Sequence, residues 1–317
     1  MTQIFKLPQI LKTLDQLDLV KSMSIAFVNV SKKNVLLPPI GEMLFPKSNG
    51  ELHIKYGAID NDEDFVVKLA TGFFDNPSKG LPPFSGCMLV FSQATGILKA
   101  VLLEEGELTN HRTAAAGAVA AKLLAPKKIK KIGIVGTGVQ ARLQASYLRK
   151  ITDCRDLTIW GRNSDKAEHA AQDLAELDFN CTVSKELSSL TQESNLIVTT
   201  TPSIKPLITA SMISPGTHIT AMGSDTAEKC ELSPALLAMA DIVATDSTEQ
   251  AIARGEISQA IRAGQISSNK IVELGEIIIN SAKGRQTENQ ITISDLSGVA
   301  AQDIIIAKEV TKILEKG

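Results

Sequence analysis

The chain's most chemically specific pattern is Lys131-Ile132-Gly133-Ile134-Val135-Gly136-Thr137-Gly138-Val139-Gln140-Ala141. An apolar, β-branched run breaks into Gly-x-Gly-x-x-Ala. A segment with helical spacing follows, in which Leu143, Tyr147 and Leu148 form an apolar stripe. In a strand–turn–helix unit the first glycine permits the tight turn and the second lets backbone approach a pyrophosphate. The small third residue lets the helix pack close to the strand. The helix N-terminus then presents N–H groups and a positive dipole end to the phosphates. Gly136, Gly138, Val139, Gln140 and Ala141 are thus candidate dinucleotide contacts. The chemistry this implies is hydride transfer with a nicotinamide.

Which nicotinamide is decided at the end of the next strand. A carboxylate there binds the ribose 2′-hydroxyl and repels a 2′-phosphate, whereas an arginine favours the phosphate. A short apolar strand, Leu157–Trp160, arrives roughly 20 residues on, where such a unit needs it. It ends in Gly161-Arg162-Asn163-Ser164, with no acid at the tip. Arg162 can fork onto a phosphate, and Asn163 and Ser164 can donate to it. NADPH is therefore expected, with NADH as the weaker alternative.

The elements that must hold these residues fall into two styles. From Lys131 onward strands alternate with helices, at Lys131–Val135, Leu157–Trp160, Asn195–Thr199, His218–Met222 and Asp241–Thr245. Alternation of this kind predicts a parallel, doubly wound α/β sheet. Thr199-Thr200-Thr201-Pro202 follows one of these strands, which makes Thr200 a further candidate contact. Earlier, a helix is expected from Pro8 to Met23, with Ile25–Val30 continuing it or starting a strand. Short strands at Leu52–Tyr56, Phe65–Leu69, Cys87–Phe91 and Ile97–Leu103 are separated by Asn76-Pro77 and Leu81-Pro82-Pro83. That meander predicts an α+β first domain. An alanine-rich helix is expected over Thr113–Leu124, stopped by Pro126, and a last helix over Val299–Leu314, returning to the first domain.

Composition narrows the function classes. At 317 residues the chain has room for two domains, and 44% hydrophobic residues can build true cores. A net charge of −2 gives no reason to expect nucleic acid or an anionic membrane as partner. The four cysteines form no CxxC pair and the four histidines no metal-ligand spacing. No metal is expected, and a cytoplasmic protein with reduced thiols, without a leader or spanning segment, is.

Several runs, taken in order, resemble the ornithine cyclodeaminase/mu-crystallin family. They are Leu108-Thr109-Asn110-His111-Arg112-Thr113-Ala114-Ala115-Ala116, the Gly-Thr-Gly-Val-Gln-Ala turn, and Gly223-Ser224-Asp225-Thr226 with Lys229 and Glu231-Leu232. Asp246-Ser247 with Glu249-Gln250, and Ser297-Gly298-Val299-Ala300 with Gln302-Asp303, complete the set. The resemblance spans nearly the whole chain. It implies a Rossmann NADP-binding domain over 113–295, and a split substrate-binding and dimerisation domain from 1–112 with 296–317. It also implies a homodimer and a small imino-acid substrate.

The same resemblance assigns roles to residues. Arg112, at the start of the alanine-rich helix, matches the arginine that clamps the substrate carboxylate, which a guanidinium can hold with two parallel hydrogen bonds. Lys68 matches a strand lysine; an ammonium inside an apolar run needs an anion to justify its burial. Lys55 is a second candidate for the same anion. Asp225, at a strand's carboxyl end, matches the acid that manages the substrate nitrogen, and with Lys68 it is the expected catalytic pair. Thr113 is expected at the cofactor, and Val299 as an apolar wall over the ring. The region Leu36-Leu37-Pro38-Pro39-Ile40-Gly41-Glu42 lacks an arginine that several members carry there. Carboxylate binding then rests on Arg112 and Lys68. This resemblance favours an NADPH-dependent reductase of a cyclic imino acid. An NAD-dependent ornithine cyclodeaminase is the alternative, and a non-enzymatic NADP-binding protein a further one.

Overall fold

β-branched and apolar runs in the first hundred residues pair as a sheet, and those after residue 130 pair as another. The structure is a computed structural model that describes residues 1–316. The chain opens with β1 (Gln3–Lys6), α1 (Leu7–Leu14), α2 (Leu19–Ser31), β2 (Val35–Leu36), β3 (Gly41–Phe45), β4 (Gly50–Ile59), β5 (Asp64–Phe73), β6 (Phe84–Ser92), β7 (Leu98–Leu103) and α3 (Glu107–Leu124). It continues with β8 (Ile132–Val135), α4 (Val139–Leu148), β9 (Asp156–Trp160), α5 (Ser164–Ala175), β10 (Asn180–Val183), α6 (Leu187–Glu193), β11 (Leu196–Thr199) and β12 (His218–Ala221). Then come α7 (Pro234–Met239), β13 (Ile242–Thr245), α8 (Thr248–Ala253), α9 (Gly255–Arg262), β14 (Ile271–Glu273), α10 (Leu274–Ile279), β15 (Thr292–Asp295) and α11 (Ala300–Leu314). The chain divides into two compact units, Met1–Arg112 with Val299–Gly317, and Thr113–Gly298.

The first unit is built on a seven-stranded sheet, β1-β7-β6-β5-β4-β2, with β3 pairing β4. Strands β4 to β7 form an antiparallel meander, and β1 joins β7 in parallel. Alternation puts Lys55, Gly57 and Ile59 of β4, and Asp64, Val66 and Lys68 of β5, on the buried face. Helix α11 covers that face through Ile304, which lies under Gly57. The single helix expected over Pro8–Met23 is instead two. Asp18 accepts from the Lys21 N–H at 3.1 Å and caps a new helix, so the chain turns after Leu14. Ile25–Val30 continues that second helix. The alanine-rich helix begins earlier than expected, at Glu107, because Glu104 accepts the Thr109 N–H at 3.2 Å. Arg112 and Thr113 therefore sit inside it rather than at its start.

The second unit carries eight parallel strands in the order β10-β9-β8-β11-β12-β15-β13-β14. This is a doubly wound Rossmann-type α/β sheet. Successive residues of one strand face two cores, as parallel sheets require. Ile132 and Ile134 meet Ala141, Ala145 and Leu148 of α4 on one side, while Val135 joins Leu190, Leu236 and Ile257 on the other. Three strands are absent from the sequence reading. Of these, β15 reads Thr-Ile-Ser-Asp, a polar string, yet all four residues are buried in mid-sheet. No described helix is long and apolar enough to cross a membrane. Among the described residues no cluster of metal-ligating side chains forms.

Candidate active site

In the second unit the glycine turn joins β8 to α4. Gly136 has φ +128°, left-handed backbone that a side chain rarely adopts, and a Cβ there would run into Thr200 Oγ1. The Gly136 N–H donates to Trp160 O at 2.9 Å and the Thr200 N–H to Val135 O at 2.8 Å, so the ends of three neighbouring strands are laced together. Gly138 is the N-cap of α4, and a Cβ there would meet no protein atom within 4 Å. No side-chain cap bond is made at that terminus. An open cradle above uncapped helix N–H groups fits a pyrophosphate, and by this test the turn suits a dinucleotide.

Around the turn, Ala141 is buried under the sheet and Val139 is exposed. Gln144 Nε2 donates to Thr113 O at 3.3 Å and to Gln140 Oε1 at 3.4 Å, so it brings together two residues singled out from sequence. Gln144 itself gave no sequence signal, because it looks like a helix-surface residue. Arg162 and Ser164 are exposed at the tip of β9. Asn163 caps α5, accepting from the Lys166 N–H at 2.8 Å, so only its amide NH2 remains for a ligand.

Asp225 lies in the loop after β12, half exposed, with Oδ1 2.6 Å from Lys229 Nζ. Arg254 donates to its carbonyl at 3.2 Å, which ties the loop to α9.

The first unit concentrates buried charge. Lys68 Nζ lies 3.0 Å from Asp303 Oδ1, and Arg112 Nε lies 3.1 Å from the same oxygen. Arg112 Nη1 donates to Gln302 Oε1 at 3.0 Å, and the Val299 N–H donates to that oxygen at 3.1 Å. Val299 itself packs with Ala26 and Val30 of α2. Lys55 stands directly opposite Lys68 on the next strand, and both are buried. Like charges opposite one another destabilise a sheet, and buried cations cost more. Burial, then Arg112, pushes the Lys68 ammonium down to about 8. Burial pulls the Asp303 carboxyl upward, but Lys68, Arg112 and Lys55 outweigh it and hold it below its ordinary value. Burial raises Glu104.

Hydrogen bonding in this cluster is incomplete. Gln302 Nε2 is a buried donor without a partner, and Asp303 Oδ2 and Glu104 Oε1 are buried acceptors without one. The two bonds that Gln302 Oε1 accepts fix which end of the amide is which. Buried polar groups need partners, and three without one in a single charged cluster make it a candidate place for a ligand. That ligand must present acceptors to the cations and the amide, and a donor to the carboxylates. Asp303, Gln302 and Glu104 were missed as site residues. The signal available was Gln302-Asp303 heading an apolar helix, which alone reads as an ordinary first turn.

The sequence profile of the ornithine cyclodeaminase/mu-crystallin family matches residues 3–317. The chain belongs to this family. A relative described as an uncharacterized cyclodeaminase, from Sinorhizobium fredii, is 42% identical over 294 residues, covering 92% of this chain and 89% of its own. The Δ1-pyrroline-2-carboxylate reductase of Thermococcus litoralis, solved with NADH and L-proline, superposes with a TM-score of 0.91 at 26% identity, covering 100% of this chain and 98% of its own. The iminosuccinate reductase of Paracoccus denitrificans, solved with NAD+, gives 0.89 at 28% identity, covering 99% and 97%. With relatives that are named reductases and dehydrogenases, the protein is an enzyme, a nicotinamide-dependent oxidoreductase acting on carbon–nitrogen bonds.

Proposed function

We propose that this family member reduces a cyclic imino acid, Δ1-pyrroline-2-carboxylate or Δ1-piperideine-2-carboxylate, to L-proline or L-pipecolate with NADPH. The observation that carries this reading is the incompletely bonded cluster of Lys68, Arg112, Gln302 and Asp303. An α-imino acid supplies what the cluster's donors lack, a carboxylate to accept from Lys68, Arg112 and the Gln302 amide.

In this mechanism Lys68 and Arg112 grip the carboxylate and so fix which face of the neighbouring carbon is presented. Lys55 adds positive potential from the adjacent strand. Asp225 keeps the imine nitrogen protonated, because a protonated imine accepts hydride far better than a neutral one. Lys229, 2.6 Å away, holds that carboxylate in place. The reduced nicotinamide, when bound, supplies the hydride. Gly136, Gly138, Val139, Gln140, Thr113 and Thr200 form its binding surface on the protein side, while buried Ala141 lets the helix sit close to the strand. The arrangement acts mainly by positioning, which can supply a large share of a barrier reduction.

Exposed Arg162 at the tip of β9, with Gly161 in place of an acid, supports NADPH over NADH. Exposed apolar side chains on the first unit, among them Leu36, Met43, Leu44 and Phe84, support a homodimer. Four free thiols are in keeping with a cytoplasmic setting.

Asp225 also favours a second reading, ornithine cyclodeamination, in which it would manage the substrate amine. One panel separates the two. The purified protein is given cyclic imino acids, linear keto acids with amines, and ornithine, each with NADPH and with NADH. Cyclic imino acids should oxidise NADPH faster than NADH. Ammonia release from ornithine without net cofactor turnover would establish the rival.

The lowered Lys68 sets a pH dependence. The ammonium must be charged to hold a carboxylate, and its pKa in the free protein is about 8. The expected result is a kcat/KM for imino acid that falls as pH rises through about 8, with the loss carried by KM. Lys68→Met should abolish that limb along with most activity. A profile flat from pH 7 to 10 in the unsubstituted protein would show that Lys68 does not bind the substrate.

A further inference from the structure

Glu231 is fully buried in the second unit, and nothing in the mechanism above uses it. Its Oε1 accepts the Thr201 N–H at 2.6 Å and the Thr201 hydroxyl at 2.7 Å. Its Oε2 accepts the Thr199 hydroxyl at 2.7 Å and the Gly223 N–H at 2.8 Å. One carboxylate therefore ties the turn after β11 to the turn after β12. Those turns press together so closely that a Cβ on Gly223 would run into Thr201 backbone.

A second buried carboxylate steadies the first. Glu256, at the start of α9, accepts the Glu231 N–H at 2.6 Å and the Leu232 N–H at 3.0 Å. On the other side, Thr200 sits between the two residues Glu231 holds. Its N–H and hydroxyl both reach Val135 O, at 2.8 and 3.3 Å, and its Oγ1 occupies the space that a Cβ on Gly136 would fill. The chain of contacts is unbroken from α9 to the glycine turn.

We propose that Glu231 is the positioning residue of the dinucleotide site, holding Thr200 against Gly136 so that the glycine turn keeps the shape that receives the pyrophosphate. Burying a carboxylate is costly, and four donors on two loops at the carboxyl ends of adjacent strands give it a reason to be there. Binding sites of doubly wound sheets form at those ends. A neutral amide cannot replace it. Each carboxylate oxygen faces one backbone N–H, so either orientation of a glutamine sets its NH2 against a donor that cannot turn away.

The inference rests on dinucleotide binding by this unit, not on which imino acid is reduced. The test is the dissociation constant of NADPH, and of NADH, read by nicotinamide fluorescence without imino acid. Glu231→Gln should weaken binding of both about tenfold or more, the worth of a charge-assisted hydrogen bond. The KM for imino acid at saturating cofactor should change less than about threefold, since the carboxylate is held by Lys68 and Arg112 of the other unit, whereas kcat falls as well because the loop that Gly223 opens carries Asp225. Thr201→Val removes one hydroxyl donor but keeps the backbone N–H, and should weaken cofactor binding about threefold. It decides the matter if Glu231→Gln does not fold. Either folded variant binding both cofactors as tightly as the parent would overturn the proposal. So would parallel losses in cofactor and imino-acid binding, which mark general loosening. Failure of the unsubstituted protein to bind either cofactor would instead sink the dinucleotide reading itself.

Discussion

Asp303→Asn destabilises the protein by about 3–5 kcal/mol and moves the alkaline limb of kcat/KM to lower pH. The stability loss follows from what the carboxylate neutralises. Its Oδ1 serves Lys68 at 3.0 Å and Arg112 at 3.1 Å, and all three side chains are buried. An asparagine of nearly the same shape leaves two cations in a poorly polarisable interior with only the more remote Glu104 as counter-charge, and removing one partner of a buried ion pair costs about that much. The limb moves because Asp303 is what holds Lys68 up, against burial and Arg112, which push it down. Without it the ammonium loses its proton at lower pH. The checks are chemical denaturation and a pH–rate profile on the same variant. Unchanged stability with an unmoved limb would mean that Asp303 is not the partner of these cations. Linkage predicts one further sign. Lys68 falls from 10.5 in the unfolded chain to about 8 in the folded one, so between those values the unfolded chain binds its proton more strongly. This group's cost to folding therefore shrinks as pH rises through that window.

The sequence carried the second unit better than the first, for a physical reason. A parallel strand buried on both faces must be apolar along its length, so Leu196-Ile197-Val198 could hardly be anything else. The glycine turn was legible for the same kind of reason: φ +128° at Gly136 excludes most residues, and the constraint leaves its mark in the residue type. Strand β15 was hidden because its Thr292 and Ser294 are buried without being apolar. Thr292 Oγ1, for example, donates to Leu124 O at 2.9 Å. The break after Leu14 was hidden because Asp18 resembles any charged helix residue until its N-cap bond is seen. In the site, Lys68 stood out as a charge inside an apolar run, whereas its partner Asp303 did not, because an acid in a helix's first turn is commonplace. Long-range pairing, 235 positions apart here, is set by how the chain's two ends meet and leaves no local pattern.

Arg112→Lys keeps the charge and should still lower kcat/KM for imino acid about a hundredfold. The guanidinium does several things at once. Nε goes to Asp303, Nη1 to Gln302 Oε1 at 3.0 Å, and Nη2 remains as the donor for a ligand. A lysine ammonium is a compact point with no planar fork, so it can meet Asp303 or the substrate carboxylate in good geometry but not span both and the amide. Gln302 then loses one of the two donors that fix its Oε1, and with it the aim of its unpartnered Nε2. Losing the charge-assisted hydrogen bond from Nη2 together with the aim of the Gln302 amide costs roughly 3 kcal/mol, which is about two decades in rate at 1.4 kcal/mol per decade. The loss should fall chiefly on KM for the imino acid, because the carboxylate is held in ground state and transition state alike. Cofactor dissociation constants should stay within about twofold, as Arg112 lies outside the unit that carries the glycine turn. Steady-state kinetics against imino acid at saturating NADPH, with a fluorescence titration of cofactor, measure both quantities. A KM within threefold of the parent would show that Arg112 serves only to neutralise Asp303, and that the carboxylate is bound elsewhere.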